Sequence, residues 1–567
     1  MHPNLVTKTC QNCKLAFTIA PEDFEFYNKV HVPPPTWCPS CRMQRRMAWR
    51  NERGLHMRTC DLCAKSVVSL HPADARFPVY CQTCWWTDKW DPMSYGRDYD
   101  FSKSFFEQFK ELQSVVPRQH TNNYAESTMV NSQYSNCSGE CKNCYMIIAT
   151  AYSEDLLYTH YLTTCKSCVD CLYLDKSEWC YDCFDLEHCY QLAYSQSCVG
   201  CRDSLFLFDC RNCSDCIGCI GLRNQQYHIL NEKYSKEEYE QKKKELKLDT
   251  REGLEEFRKK YFSKDFFYKF PRKCVHGQMN KDSTGDYISN SENSNECFYT
   301  KDSRGCNYCF WFIEGRDCYD CFAWGGEELC YETVTGGDQS NGLKFCNMVW
   351  GNVRDMEYCD HCFSGDSDCF GCVGLRGKKF CILNKQYSEE EYYALTKKIR
   401  EDMTARGEYG EFFPFSVSPF PYWDTVAQEH FPLTKEQVLA KGYNWREPTE
   451  RKYSVTKNYS DLPNTITEVT DEILKETISC EHNSECAEQC TKAFKIIPAE
   501  LKFYREMNIP LPTLCYQCRH ASRVKTRNPL KLWDRTCAKC SAPIKTSYSP
   551  ERPEIVYCES CYNAEVA

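Results

Sequence analysis

Apolar and polar positions change rhythm several times along the chain, and each rhythm predicts a different element. In two stretches, 116–233 and 273–386, cysteines recur every twelve residues, as in Cys168 to Cys180, Cys189 to Cys201 to Cys213, and Cys306 to Cys318 to Cys330. Aromatic residues are interleaved there, and Asp, Asn, Ser and Gly are frequent. A short period with turn-forming residues predicts brief strands stacked as the coils of a solenoid; the competing expectation is a string of irregular zinc knuckles. Elsewhere the period is helical. Phe101, Phe105, Phe109 and Leu112 share one helical face and predict a helix packed into a core. Ser235-Lys236-Glu237-Glu238 and Ser388-Glu389-Glu390-Glu391 fit the capping box, in which serine and glutamate satisfy the exposed amides of a helix start, so each cysteine-rich block is expected to end in a helix. The first helix is charged and lysine-rich through about residue 262 and reads as a spacer. Around 411–465 the chain is rich in Pro, Phe and Tyr, including Phe412-Phe413-Pro414-Phe415, and reads as an ordered connector.

Two internal duplications organise these elements. Cys13, Cys38, Cys41, Cys60, Cys63, Cys81 and Cys84 recur at Cys490, Cys515, Cys518, Cys537, Cys540, Cys558 and Cys561, each displaced by 477 positions, and Phe26-Tyr27 recurs as Phe503-Tyr504. In the middle, Gly221-Leu222-Arg223 and Ile229-Leu230-Asn231 return 153 positions later, whereas Cys168, Cys171, Cys180 and Cys183 return 138 positions later, so the blocks differ by insertions. The expected plan is multidomain and mainly β with short helices: a double zinc module plus helix over 1–115, a repeat block over 116–233, a helical spacer over 234–272, a second block over 273–386, a helix and connector over 387–475, and a second double module over 476–567. The terminal modules are treble-clef or zinc-ribbon-like, and the repeat region between them is solenoid-like.

Composition narrows the chemistry. The chain has 567 residues and 45 cysteines. That much cysteine belongs either to a secreted disulfide framework or to an intracellular metal protein. Metal is favoured, because most cysteines sit in Cys-x-x-Cys pairs, the total is odd, and the opening MHPNLVTKTC lacks the apolar core of a signal peptide. No run approaches the roughly 18 apolar residues of a membrane span, so a cytoplasmic protein is expected.

Zinc takes four soft ligands in a tetrahedron, and two Cys-x-x-Cys turns close that shell. The expected terminal sites are Cys10, Cys13, Cys38 and Cys41, then Cys60, Cys63, Cys81 and Cys84. Their copies are Cys486, Cys490, Cys515 and Cys518, then Cys537, Cys540, Cys558 and Cys561. In the third site Cys486-x-x-x-Cys490 is a looser knuckle, and Cys480 and His482 stand nearby as rival ligands. In the centre, Cys168, Cys171, Cys180 and Cys183 form one quartet; Cys198, Cys201, Cys210 and Cys213 form another; Cys306, Cys309, Cys318 and Cys321 a third; and Cys359, Cys362, Cys369 and Cys372 a fourth. If the coil is twelve residues long, consecutive pairs lie on strands about 4.8 Å apart, close enough for an ion to staple coil to coil. The alternative is a ladder of free thiols acting as small apolar side chains. Cys210-x-x-Cys213-x-x-Cys216-x-x-Cys219 also has iron–sulfur-like spacing without the final Cys-Pro of the ferredoxin run.

Arginines follow the second pair of each module: Arg42, Arg45, Arg46, Arg50 and Arg53, and in the copy Arg519, Arg523 and Arg527. On a helix they form a basic stripe able to meet phosphates, which makes nucleic acid or a ribonucleoprotein the first candidate partner. With a net charge of -9 the competing expectation is that they pair with acidic residues of neighbouring domains. Trp85, Trp86 and Trp90 either stack bases or cover a small core. No phosphate-cradling glycine loop, paired carboxylates or Cys-His nucleophile is found, and four-thiolate zinc has no open coordination position, so no catalytic residue, small-molecule substrate or organic cofactor is assigned.

The run Val32-Pro33-Pro34-Pro35-Thr36-Trp37-Cys38-Pro39-Ser40-Cys41-Arg42, with Arg50-Asn51-Glu52-Arg53, Trp85-Trp86, Trp90-Asp91-Pro92, Tyr95-Gly96-Arg97-Asp98 and Ser418-Pro419-Phe420, resembles an uncharacterised family of Cys-rich, zinc-ribbon-like proteins of small-genome candidate-phylum bacteria. That resemblance implies a bacterial cytoplasmic zinc protein and brings no activity with it. The expectation is a non-enzymatic multi-zinc scaffold that binds a macromolecule, nucleic acid first and protein second. A redox or iron–sulfur enzyme and a metal reservoir are the alternatives.

Overall fold

The computed structural model describes residues 5–566 apart from 125, 448–452, 484 and 487. Mainly β, it has a solenoid-like centre flanked by cysteine clusters. In the centre, strands pair in parallel, mostly at an offset of twelve. Leu172 faces Phe184, which faces Gln196, and Phe298 faces Phe310, which faces Phe322. Within each coil the backbone also repeats every three residues: Asp170, Tyr173, Lys176, Trp179 and Asp182 all have left-handed φ. The residue after each of them turns inward, so Cys168, Cys171, Leu174, Ser177, Cys180, Cys183 and Leu186 are all buried. Twelve-residue coils built of three-residue steps have four inward side chains each. Left-handed backbone is strained for most L-residues and easiest for Gly, Asn and Asp, which explains their frequency here.

This rhythm gives the central Cys-x-x-Cys pairs a meaning the spacing alone does not: they are successive inward steps of a coil. Serines at the same steps behave alike. Ser153 Oγ donates to the Ala151 carbonyl two residues back at 2.7 Å, and Cys165 Sγ donates to Thr163 at 3.3 Å. The same serine oxygen accepts the Cys165 amide one coil on at 3.0 Å, as Cys183 Sγ accepts the Ser195 amide at 3.4 Å. The solenoid interior thus satisfies backbone carbonyls and amides with small hydroxyl and thiol groups, where an all-aliphatic filling would strand them.

Both capping boxes form, at Ser235 with Glu238 and at Ser388 with Glu391, opening helices Lys236–Glu245 and Glu389–Ala405. The lysine-rich spacer is two helices: a second begins at Arg251–Tyr261 with Thr250 as its cap, after a left-handed turn at Lys247. The Phe-rich helix covers Phe105–Gln113, with Phe105, Phe109 and Leu112 buried and Phe101 outside it and exposed. In the connector, Phe413 stacks on Trp49 at 4.7 Å and meets Phe109 at 4.6 Å.

The two solenoids superpose in role at an offset that neither sequence match reveals. Tyr158, Asp170, Tyr181 and Asp182 of the first correspond to Tyr308, Asp320, Tyr331 and Glu332 of the second, each 150 positions on. Three later coils each gain one residue, seen where Val334 faces Asn347, Asn347 faces Asp360, and Asp360 faces Val373. Those insertions turn 150 into the 153 read at the block ends.

The terminal modules dock crosswise. Phe26 of the N-terminal module stacks on Tyr319 of the second solenoid at 3.8 Å, and Tyr27 meets Tyr331 at 5.5 Å. Their copies in the C-terminal module meet the first solenoid, Phe503 on Trp179 at 5.9 Å and Tyr504 on Tyr181 at 5.6 Å. Each module is also tied by a short parallel pairing to the strand that leads into a solenoid, Val79–Tyr80 with Arg118–Gln119 and Val556–Tyr557 with Arg272–Lys273.

Candidate metal centres

Each terminal centre is built from a turn on a hairpin and the start of a helix, and in three of the four the turn is tight. The turn is closed by the amide of its first cysteine, Cys10 to the Leu15 carbonyl at 2.9 Å, Cys60 to Lys65 at 2.8 Å and Cys537 to Ala542 at 2.8 Å. A left-handed residue completes it, Lys14, Ala64 or Ser541. The second pair lies at a helix start: Cys38 caps Pro39–Met47, Cys81 caps Gln82–Trp85, Cys515 caps Tyr516–Thr526, and Cys558 immediately precedes Glu559–Val566. A helix N-terminus favours a thiolate over a thiol.

The sulfurs converge as Cys10/Cys13/Cys38/Cys41, Cys60/Cys63/Cys81/Cys84, Cys480/Cys490/Cys515/Cys518 and Cys537/Cys540/Cys558/Cys561. A tetrahedron with bonds of about 2.3 Å has sulfur–sulfur edges of about 3.8 Å. Cys13 and Cys38 lie 3.8 Å apart, Cys63 and Cys81 3.9 Å, Cys490 and Cys515 3.9 Å, and Cys540 and Cys558 3.7 Å. In every site one amide points at the first sulfur: Cys38 N to Cys10 Sγ at 3.2 Å, Cys81 N to Cys60 Sγ at 3.3 Å, Cys515 N to Cys480 Sγ at 3.2 Å, and Cys558 N to Cys537 Sγ at 3.2 Å. The neighbouring Cys41 thiol lowers Cys38 to about 5. At Cys60 burial opposes ionisation, but the amides of Cys81, Cys63 and Leu62 prevail and lower it to about 7. Burial raises their neighbours Cys13 and Cys81, so one thiol at each of these two sites ionises ahead of the others.

The third site corrects the expected ligand set. Cys480, rather than Cys486, occupies the place of Cys10, because it receives the Cys515 amide and donates its own amide to Lys492 at 2.8 Å, as Cys10 does to Leu15. Cys486 lies to one side, 3.7 Å from Cys518, in a separate grouping with His482. The copied site keeps its geometry on a longer turn, which a search for Cys-x-x-Cys passes over.

In the centre, three of the four expected quartets are stacked pairs at the twelve-residue offset, Cys168 and Cys171 beside Cys180 and Cys183, Cys198 and Cys201 beside Cys210 and Cys213, and Cys306 and Cys309 beside Cys318 and Cys321; the fourth is not, because a thirteen-residue coil sets Cys359 beside Cys372 but Cys369 beside Met356 and Cys381. The quartet sulfurs sit within hydrogen-bond reach of carbonyls, such as Cys168 to Lys166 at 3.3 Å and Cys210 to Cys219 at 3.5 Å. That role differs from the apolar one expected for a ladder of free thiols, because the sulfurs serve as hydrogen-bonding groups.

The arginine stripes are not an open face. Asp320 receives both Arg42 at 2.8 Å and Arg46 at 2.9 Å, and Arg45 binds Glu332 at 2.8 Å and Glu411 at 2.7 Å. In the copy, Asp170 receives Arg519 at 2.8 Å and Arg523 at 3.0 Å, and Arg523 also reaches Asp182 at 3.0 Å. Arg50 binds Glu52 at 2.6 Å beneath Trp311, and Arg527 lies 5.2 Å from the Tyr173 ring. Arg53 pairs with Gln517 and Glu429 between the two modules. All but Arg53 are buried, so they present no stripe to a phosphate backbone. Trp85 and Trp90 are buried beneath Arg376, and Trp86 is partly exposed. The feature missing from a one-dimensional reading is the partner, since Asp170 and Asp320 look like ordinary turn residues of their coils.

No family model and no curated protein matches the chain. Among solved structures, it is similar to a putative acetyltransferase from Desulfovibrio desulfuricans at 9% identity, over 49% of this chain and 81% of that one, with a TM-score of 0.10. It is also similar to UDP-N-acetylglucosamine acyltransferase from Campylobacter jejuni at 10% identity, over 44% and 87%, with a TM-score of 0.08. Likenesses at these scores carry no argument about fold or chemistry.

Proposed function

We propose that this protein is a non-enzymatic, metal-assembled scaffold, in which zinc at the four terminal tetracysteine centres fastens two thiol-lined solenoids into one body. The supporting observation is the pairing of the first and third centres with a docking helix. Cys38 and Cys41 open the helix that carries Arg42, Arg45 and Arg46 into the second solenoid, and Cys515 and Cys518 open the helix that carries Arg519 and Arg523 into the first. A bound ion fixes the helix start, and the helix aims its guanidiniums at buried carboxylates. Without the ion, four thiols and a short hairpin hold that geometry with little apolar core of their own.

Zinc is the fitting ion, because four thiolates with edges near 3.8 Å suit a tetrahedral ion with no geometric preference of its own. Binding of a macromolecule, nucleic acid or protein, belongs to this reading as the use of the scaffold, through surface other than the arginine stripes. Titrating the full-length protein with a chelator tests the assembly. Metal loss should run in parallel with loss of near-UV circular dichroism and with new proteolytic cuts at the module–solenoid junctions. Complete metal removal with an unchanged spectrum and digestion pattern would refute it.

A further inference from the structure

The two solenoids match along the docking face, but several inward steps differ, Cys165 against Gly315 and Cys183 against Thr333, and one of them introduces a carboxyl. Ser177 of the first corresponds to Glu327 of the second, and Glu327 is only 1% exposed. Its Oε2 accepts Thr333 Oγ1 at 3.0 Å, while Oε1 has no hydrogen-bond partner. The coil is irregular beside it. Trp324 stands at an inward step, but its φ of 85° goes with a ring that is 38% exposed, and the strand register slips between Gly325 and Glu327. Gly336 packs against the carboxyl: a Cβ there would lie 2.2 Å from Glu327 Oε1, so a larger residue would displace it. Strain and a bulge concentrated on one carboxyl are the marks of a purposeful site.

Cysteines occupy the neighbouring inward steps. Cys318 Sγ donates to the Glu327 carbonyl at 3.4 Å, Cys330 lies one coil on from Cys318, Cys321 Sγ donates to the Cys330 carbonyl at 3.7 Å, and Thr333, which bonds the carboxyl, lies one coil on from Cys321. Arg46, held in the clamp above, places positive charge near Cys321. We propose that Cys318, Cys321, Cys330 and the carboxylate of Glu327 hold a divalent, thiophilic metal ion inside the second solenoid, a three-sulfur, one-oxygen centre that the first solenoid lacks. An orphaned buried carboxyl oxygen is costly when ionised and unpaired, and a cation removes that cost. Three thiolates and one carboxylate form a complete shell for zinc, and the burial leaves no entry for a substrate, so the centre is structural and ties successive coils together.

The donors are separate from those of the terminal tetrads, so the two readings can fail independently. Full-length wild type, E327S and E327Q would be compared by elemental analysis and by the absorption of the cobalt(II)-substituted protein. E327S installs the residue of the first solenoid, and E327Q keeps the size and the Thr333 contact. Both variants should hold about one metal ion per chain fewer than wild type and lose the cobalt component from a mixed sulfur–oxygen shell. C60S, which breaks a terminal tetrad, should lose its own ion and keep that component. Unchanged metal content and cobalt spectrum in both Glu327 variants would overturn the proposal.

Discussion

Asp170 and Asp320 are the residues on which most of the cross-docking converges. Each is fully buried and each holds two guanidiniums, so removing either charge leaves two buried cations short of a counter-ion. Breaking a buried pair at one end costs about 3–5 kcal/mol, far more than an exposed pair contributes. Asp320→Asn should therefore lower the stability of the docked N-terminal module by about that amount, and Asp170→Asn the C-terminal one. Urea denaturation followed by tryptophan fluorescence reads both. A second residue effect is titratable. Burial and the nearby Arg527 lower His430 to about 4, below its usual 6.5, although Glu429 acts the other way. Because the folded value is depressed, the unfolded chain takes up the proton first. The stability contribution is present above pH 6.5 and falls as pH drops, by about 2 kcal/mol at pH 5. His430→Gln should flatten that part of the stability profile between about pH 7 and 5; a profile identical to wild type would contradict it.

At the scale of the element, the coil shows what sequence reading could and could not supply. Period twelve was legible, because cysteines mark it, and so were both helix caps, because their chemistry is local. The three-residue step was not read from the Cys-x-x-Cys pairs, since the same spacing serves a zinc turn and an inward stripe. Only the left-handed residue between successive inward positions separates the two. The equivalence of the solenoids at an offset of 150 was hidden by three one-residue insertions, and the Glu327 bulge left no composition signal. If interior thiols chiefly cap carbonyls, Cys165→Ser should be tolerated within about 1 kcal/mol, because Ser153 and Ser177 occupy the neighbouring coils at the same step and make the same bonds. Thermal denaturation decides. The turn of the third terminal site gives the opposite contrast. Cys480→Ser should release an ion from the C-terminal module, whereas Cys486→Ser should not, and metal analysis of the two purified variants distinguishes them.

For the whole molecule, the order of module, solenoid, solenoid, module is closed by exchange: the N-terminal module grips the second solenoid and the C-terminal module the first. Local sequence marked the modules and their duplication. It did not mark their docking, since pairs such as Arg42 with Asp320 and Arg523 with Asp170 lie hundreds of residues apart and have no local signature. The crossing also gives the arginine stripes their purpose, which is to hold the body together. Metal at the chain ends is thereby coupled to the arrangement of its middle. Native mass spectrometry of the full-length protein, purified without added metal, tests this coupling most directly. The expected spectrum is a compact charge-state distribution carrying at least one zinc for each of the four terminal tetracysteine groups, shifting to expanded states as those ions are stripped. A compact, metal-free species would contradict it.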